Sequence, residues 1–89
     1  MSDPFMLDQF ATTEVLHSTL TRLRGKYSVL TVLERCREKP NASKIEQWTR
    51  RSTEISLLMD EMIVASLELK KSTIKIYSKE LLELNAIPL

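Results

Sequence analysis

Residues 39–46, Lys-Pro-Asn-Ala-Ser-Lys-Ile-Glu, constrain the fold more than any other segment, because one helix must end there and another must begin. Pro40 has no backbone N–H and disfavours helical geometry at Lys39, so a helix arriving from the N-terminal side stops there. Ser43 and Glu46 have the spacing of a capping box, in which each side chain accepts a hydrogen bond from the other residue's backbone N–H. We therefore expect a helical hairpin that turns near the middle of the chain.

Apolar residues recur at helical spacing on both sides of this turn. In the first arm they are three or four residues apart, from Met6 to Leu33, and Gly25 lies within this pattern without shifting its phase. An all-α fold is predicted, in which two helices at about 4–38 and 44–84 form a long antiparallel hairpin that resembles a coiled coil. The alternative is a three-helix bundle with a break at Gly25. Asp3 and Pro4 form a typical helix start.

The hairpin predicts which residues face each other. If the arms fold back around residues 40–42, facing residues have numbers that sum to about 82–86, and Asp3 and Asp8 lie beside Lys71, Lys75 and Lys79. The apolar residues that meet between the two arms are called the seam here. They are Leu16, Leu20, Leu23, Tyr27, Leu30, Trp48, Ile55, Met59 and Met62.

A second apolar stripe begins halfway along the second arm, beside the seam. One facing helix cannot cover two adjacent stripes, so the second stripe is predicted to bind helices of another protein or of further copies of this chain, completing a larger bundle. Its residues are Ile63, Leu67, Ile74, Tyr77, Leu81 and Leu84. The whole chain, 1–89, is expected to form a single domain. An alternative for residues 1–5 is that they are a remnant that does not belong to the native protein.

The residues that carry catalytic or metal chemistry are few. His17 and Cys36 are 19 positions apart on one predicted helix, roughly 28 Å at 1.5 Å per residue, so they cannot act together. One histidine and one cysteine are also too few for a typical metal site. We therefore expect a protein that is not an enzyme and that has no cofactor and no metal.

The charge balance and the targeting signals limit the classes of partner and the cellular compartment that we expect. Thirteen basic residues against twelve acidic ones argue against a general nucleic-acid binder. No apolar run approaches the length of a membrane span. A single cysteine and the lack of a visible signal peptide predict an intracellular protein, cytoplasmic or nuclear. Basic residues do concentrate between Arg22 and Arg51, near the predicted turn, so a helical module that binds nucleic acid through Arg50 and Arg51 is an alternative function.

The region of residues 33–55, with Lys39-Pro40-Asn41 between two helices and Trp48 one turn into the second, resembles the hairpin turn of the small needle subunits of bacterial type III secretion systems. It is also similar to the hairpin co-chaperones that hold those subunits unassembled. Ser43 stands where the needle pattern has a second proline. The resemblance implies a two-helix protein that forms fibres or binds a short helical client. The main predicted function is a non-enzymatic assembly subunit with helical partners, and a secretion protein of this kind is a further alternative to it.

Overall fold

The computed structural model describes the backbone of residues 4–87 and the side chains of residues 8–87. The described chain contains three helices and no strand, so the all-α prediction is confirmed. They are α1 (Pro4–Arg35), α2 (Ala42–Met62) and α3 (Leu67–Asn85). The predicted helix cap at Asp3 lies outside the described residues. The molecule is elongated and measures 59 × 23 × 18 Å along its principal axes.

The first helix continues through Gly25. Gly25 lies inside α1, its backbone has no positive φ, and a Cβ atom added to it would meet nothing within 4 Å. The preferred continuous first helix is therefore confirmed, and the alternative break at Gly25 is wrong. Glycine in a helix interior costs about 1 kcal/mol relative to alanine, and no neighbour within the chain requires its lack of a side chain.

The turn between α1 and α2 lies where Pro40 predicts it, but its cap differs from the prediction. The first helix ends at Arg35 rather than near residue 38, and the buried carboxylate of Glu34 accepts a hydrogen bond from the backbone N–H of Asn41 at 3.0 Å. The side chain of Asn41 then accepts a hydrogen bond from the backbone N–H of Lys44 at 3.2 Å. Asn41 is thus the N-cap. The capping box at Ser43 is wrong, because the helix has already begun at Ala42.

The predicted single helix over 44–84 is wrong, because the second arm is two helices separated at residues 63–66. The first of them ends at Met62, and Ser66, in an extended conformation (φ −66°, ψ 159°), caps the next by accepting a hydrogen bond from the backbone N–H of Leu69 at 3.2 Å. The β-branched Ile63 and Val64 precede this cap, and such residues favour a helix less than straight-chain ones do. The two-helix protein implied by the secretion resemblance therefore matches this chain only around the first turn.

Both α2 and α3 pack against α1, in opposite directions. Arg24 donates a hydrogen bond to Ser56 at 3.4 Å, and Trp48 lies near Leu30, so numbers in α2 fall as numbers in α1 rise. In α3 the numbers rise with those in α1: Lys71 pairs with Asp8 at 2.9 Å and Glu80 bonds to Tyr27 at 3.0 Å. The predicted contact between Asp8 and Lys71 is present, but it belongs to this third helix and not to a hairpin.

The core lies along the face of α1 that both other helices cover. Seven seam residues and Leu84 are buried in one cluster, and the other two seam residues, Trp48 and Met59, pack against it. The seven are Leu16, Leu20, Leu23, Tyr27, Leu30, Ile55 and Met62. The third helix contributes further apolar contact around them.

Candidate interaction surface

The stripe that the sequence assigned to a partner lies largely within the chain. Leu84 is buried in the core cluster, Ile74, Tyr77 and Leu81 pack against that cluster, and Leu67 is half-buried. Ile63 is the exception, because it lies in the linker and is exposed. The break at residues 63–66 explains this arrangement, since it lets α3 turn back and lay the stripe on α1. This placement removes the reason for assigning the stripe to a partner.

A polar cluster joins the three helices. The guanidinium of Arg51 on α2 binds both carboxylate oxygens of Glu80 on α3 and also Glu54 at 3.0 Å. Tyr27 on α1 donates a hydrogen bond to Glu80 at 3.0 Å, and Arg51 lies over the ring of Tyr77, 5.3 Å from its centroid. A bidentate arginine–carboxylate pair has a directional geometry. The cluster therefore specifies how α2 and α3 align on α1.

Tyr27 makes this cluster sensitive to alkaline pH. Burial, and then the hydrogen bond to Glu80, raise the pKa of the Tyr27 phenol above its ordinary value of about 10. Because the pKa of Tyr27 is higher in the folded state, the neutral phenol contributes fully to the free energy of unfolding below pH 10. That contribution is lost as the pH rises through the raised pKa. We expect the free energy of unfolding of the wild type to fall faster above pH 10 than that of Tyr27→Phe. Chemical unfolding at several pH values measures this, and parallel curves for the two proteins would contradict it.

The basic residues near the turn are partly engaged by carboxylates. Arg50 pairs with Glu46 at 2.8 Å, Arg37 pairs with Glu34 at 3.2 Å, and Arg51 is held in the cluster above. Arg50 and Arg51, the two residues assigned to nucleic acid, therefore point their charges at carboxylates of the same chain.

The residues with catalytic or metal-binding potential are scattered. His17 and Cys36 are both exposed, and Cys36 lies directly after the end of α1. Within the described residues, no three histidine, cysteine or carboxylate side chains are close enough to hold a metal ion. Over the same residues, none of the helices has the length and apolar character that crossing a membrane requires.

The surface that stands out is on α1, on the side away from the core. Ser18, Gly25 and Val32 follow the core residues Leu16, Leu23 and Leu30 by two positions, about 200° around the helix at 3.6 residues per turn. They belong to a series with alternating steps of four and three residues, all exposed, which we call the outer face: Ala11, Val15, Ser18, Arg22, Gly25, Val29, Val32 and Cys36. The backbone N–H of Cys36 still bonds to the carbonyl of Val32 at 3.1 Å.

The outer face is mainly apolar or small. Val15, Val29 and Val32 are each about half exposed, and a shallow apolar depression lies between Val29, Val32 and Leu33. Steps of four and three over more than three heptads are the spacing of a coiled-coil contact. This face is not among the surfaces predicted from the sequence. Its signal is the constant phase of these residues on the side of α1 away from the leucines.

Comparison with protein-family models, with curated proteins and with solved structures finds no match to this chain. Inferences about its function therefore come from the surface described above.

Proposed function

We propose that this chain is a non-enzymatic assembly subunit that binds helical partners through the outer face of α1. One observation carries the proposal: α1 presents apolar or small residues on two opposite sides, and its own chain covers only one of them. Half-exposed valines at heptad spacing stabilise a complex when a second helix packs on them, because their apolar surface is removed from water. The partner surface thus moves from α3, where the sequence placed it, to the back of α1.

The core is consistent with one side of α1 binding its own chain and the other side binding a partner. The seam residues bind α2 and α3, and the cluster around Arg51 and Glu80 specifies the alignment of these helices. Packing against α2 and α3 can therefore keep α1 straight, while the outer face remains available to a partner. A continuous helix of 32 residues is about 48 Å long at 1.5 Å per residue, long enough for a lengthwise contact with another helix.

Photo-crosslinking from the outer face tests the proposal. A photoreactive amino acid is placed at Val29, and at Leu57 as the control, because Leu57 is exposed to a similar degree on α2. In cells that express the chain, Val29 is expected to crosslink to a helix of another copy or of another protein, and Leu57 is not. Adding Val32→Asp should remove the Val29 crosslink, because a carboxylate at the next heptad position has to be desolvated in the contact.

The result that would overturn the proposal is a lack of selectivity. If Val29 and Leu57 give the same products, or if the products at Val29 are nucleic acids, the outer face is not a helix-binding surface. Mapping of the crosslinked residue by mass spectrometry distinguishes these products.

A further inference from the structure

We infer that the outer face binds the same face of a second copy of this chain, with the two α1 helices antiparallel. This inference rests on the proposed function and names its partner. It follows from how the eight positions of the outer face match themselves when one helix is reversed.

In one antiparallel register the outer face is complementary along its whole length. Val15 faces Val32 of the second copy, Ser18 faces Val29, and Ala11 faces Cys36. The bulky positions near the two ends thus meet each other. Each pair occurs twice, because a two-fold axis relates the copies.

The centre of this register explains Gly25. There Arg22 of one copy faces Gly25 of the other, and the missing side chain leaves room for the long arginine stem to pass to solvent. Within a single chain nothing lies within 4 Å of a Cβ placed on Gly25, so the chain's own packing does not require a glycine there. A parallel pair would instead place Arg22 directly against Arg22 in one layer and Gly25 against Gly25, so the space beside the glycine would not receive the arginine stem.

The charges that flank the outer face select the same register. Glu14 and Arg35 lie on one edge of it, both exposed, and neither makes an ion pair among the described residues. In the antiparallel register Glu14 of each copy lies beside Arg35 of the other, at both ends of the contact. Sliding the helices by one heptad places Glu14 beside Ser28, or Arg35 beside Thr21, and shortens the overlap. Flanking charges of this kind commonly set partner and orientation in coiled coils.

The first test is self-association of the purified chain by sedimentation equilibrium. The wild type is expected to show a monomer–dimer equilibrium. Val29→Asp with Val32→Asp is expected to weaken it by about 100-fold or more, because each substitution acts twice in a symmetric dimer. Leu57→Asp with Leu82→Asp is the matched control, since both leucines are exposed elsewhere, and it should dimerise like the wild type. A wild type that stays monomeric at millimolar concentration overturns the inference.

The second test is the charge register. Glu14→Arg alone should weaken the dimer because it places two cations side by side, and adding Arg35→Glu should restore it to the wild-type affinity. If the double variant is as weak as the single one, the antiparallel register is wrong.

The third test is orientation by disulfide crosslinking. Ala11→Cys should form a disulfide with the native Cys36 of the second copy under mild oxidation, whereas Phe10→Cys, one position along and on another face, should not. A disulfide between two Cys36 residues in the wild type would show a parallel pair and overturn the inference. If the chain is monomeric but Val29 crosslinks to a helix of a different protein, the proposed function stands and only the self-association fails.

Discussion

Replacing Leu84 with alanine is expected to lower the free energy of unfolding of the isolated chain by about 2–4 kcal/mol. The side chain of Leu84 is only 7% exposed and belongs to the core cluster around Leu23 and Ile55. Removing it takes apolar contacts away and leaves a cavity that the neighbouring helices fill only in part. The matched control is Leu82→Ala, two positions away on α3, where the leucine is 71% exposed. That substitution should change the stability by less than about 0.5 kcal/mol.

Urea unfolding followed by circular dichroism measures both variants, at a concentration where the wild type is monomeric. The pair discriminates between two arrangements of the second arm. In a single helix over 44–84, Leu84 would face outward and both substitutions would be nearly neutral. Equal and small effects would therefore contradict the packing of α3 on α1.

The break that separates α2 from α3 could have been recognised from the sequence. The seam stripe ends at Met62, and the stripe that contains Ile74 and Leu81 continues one position out of phase with it. A straight helix cannot turn both stripes toward one neighbour, so a change of phase marks either a second partner or a break. The prediction that the second stripe binds another molecule corresponds to the first of these two possibilities. Ser66, which caps α3 after two β-branched residues, was the local signal for the break.

Other features were predictable to different degrees. Pro40 predicted the first turn correctly, because its chemistry acts on its immediate neighbours. The predicted N-cap of α2 was wrong by two residues, since Asn41 and Ser43 are both good N-caps. In the structure the N-cap is Asn41, whose backbone N–H also donates a hydrogen bond to Glu34. The cluster of Tyr27, Arg51 and Glu80 could not be predicted. These residues are far apart in the sequence and meet only when α3 turns back.

The outer face was hard to identify for a different reason. Leucines and aromatic residues are the clearest sign of a buried helix face, and in α1 they lie on the core side. On the other side, Val15 and Val29 alternate with Ser18 and Gly25, which by composition resemble an ordinary solvated surface. The structure shows that this series is exposed from residue 11 to residue 36, on the side of α1 away from the core. A helix with two such faces binds its own chain with one and has the other available for a partner.

The two faces of α1 predict opposite responses at adjacent residues. Leu30→Asp is expected to unfold most of the protein, because Leu30 is 4% exposed and the substitution both removes core contacts and buries a carboxylate without a partner. We estimate a cost of about 5 kcal/mol or more, comparable to the whole stability of a domain of this size. Val29→Asp should retain the helical circular dichroism signal and a cooperative unfolding transition, because Val29 is 47% exposed on the outer face.

The comparison introduces the same residue at adjacent positions, so the added charge is the same and the two variants differ in helix propensity by only about 0.5 kcal/mol. Thermal and urea unfolding at low concentration, where any dimer has dissociated, measure the difference between the two sides of the helix. If Val29→Asp unfolds the chain as Leu30→Asp does, residue 29 is needed by the isolated fold. The outer face would then be part of the core, and a loss of association in Val29 variants would report only a loss of structure.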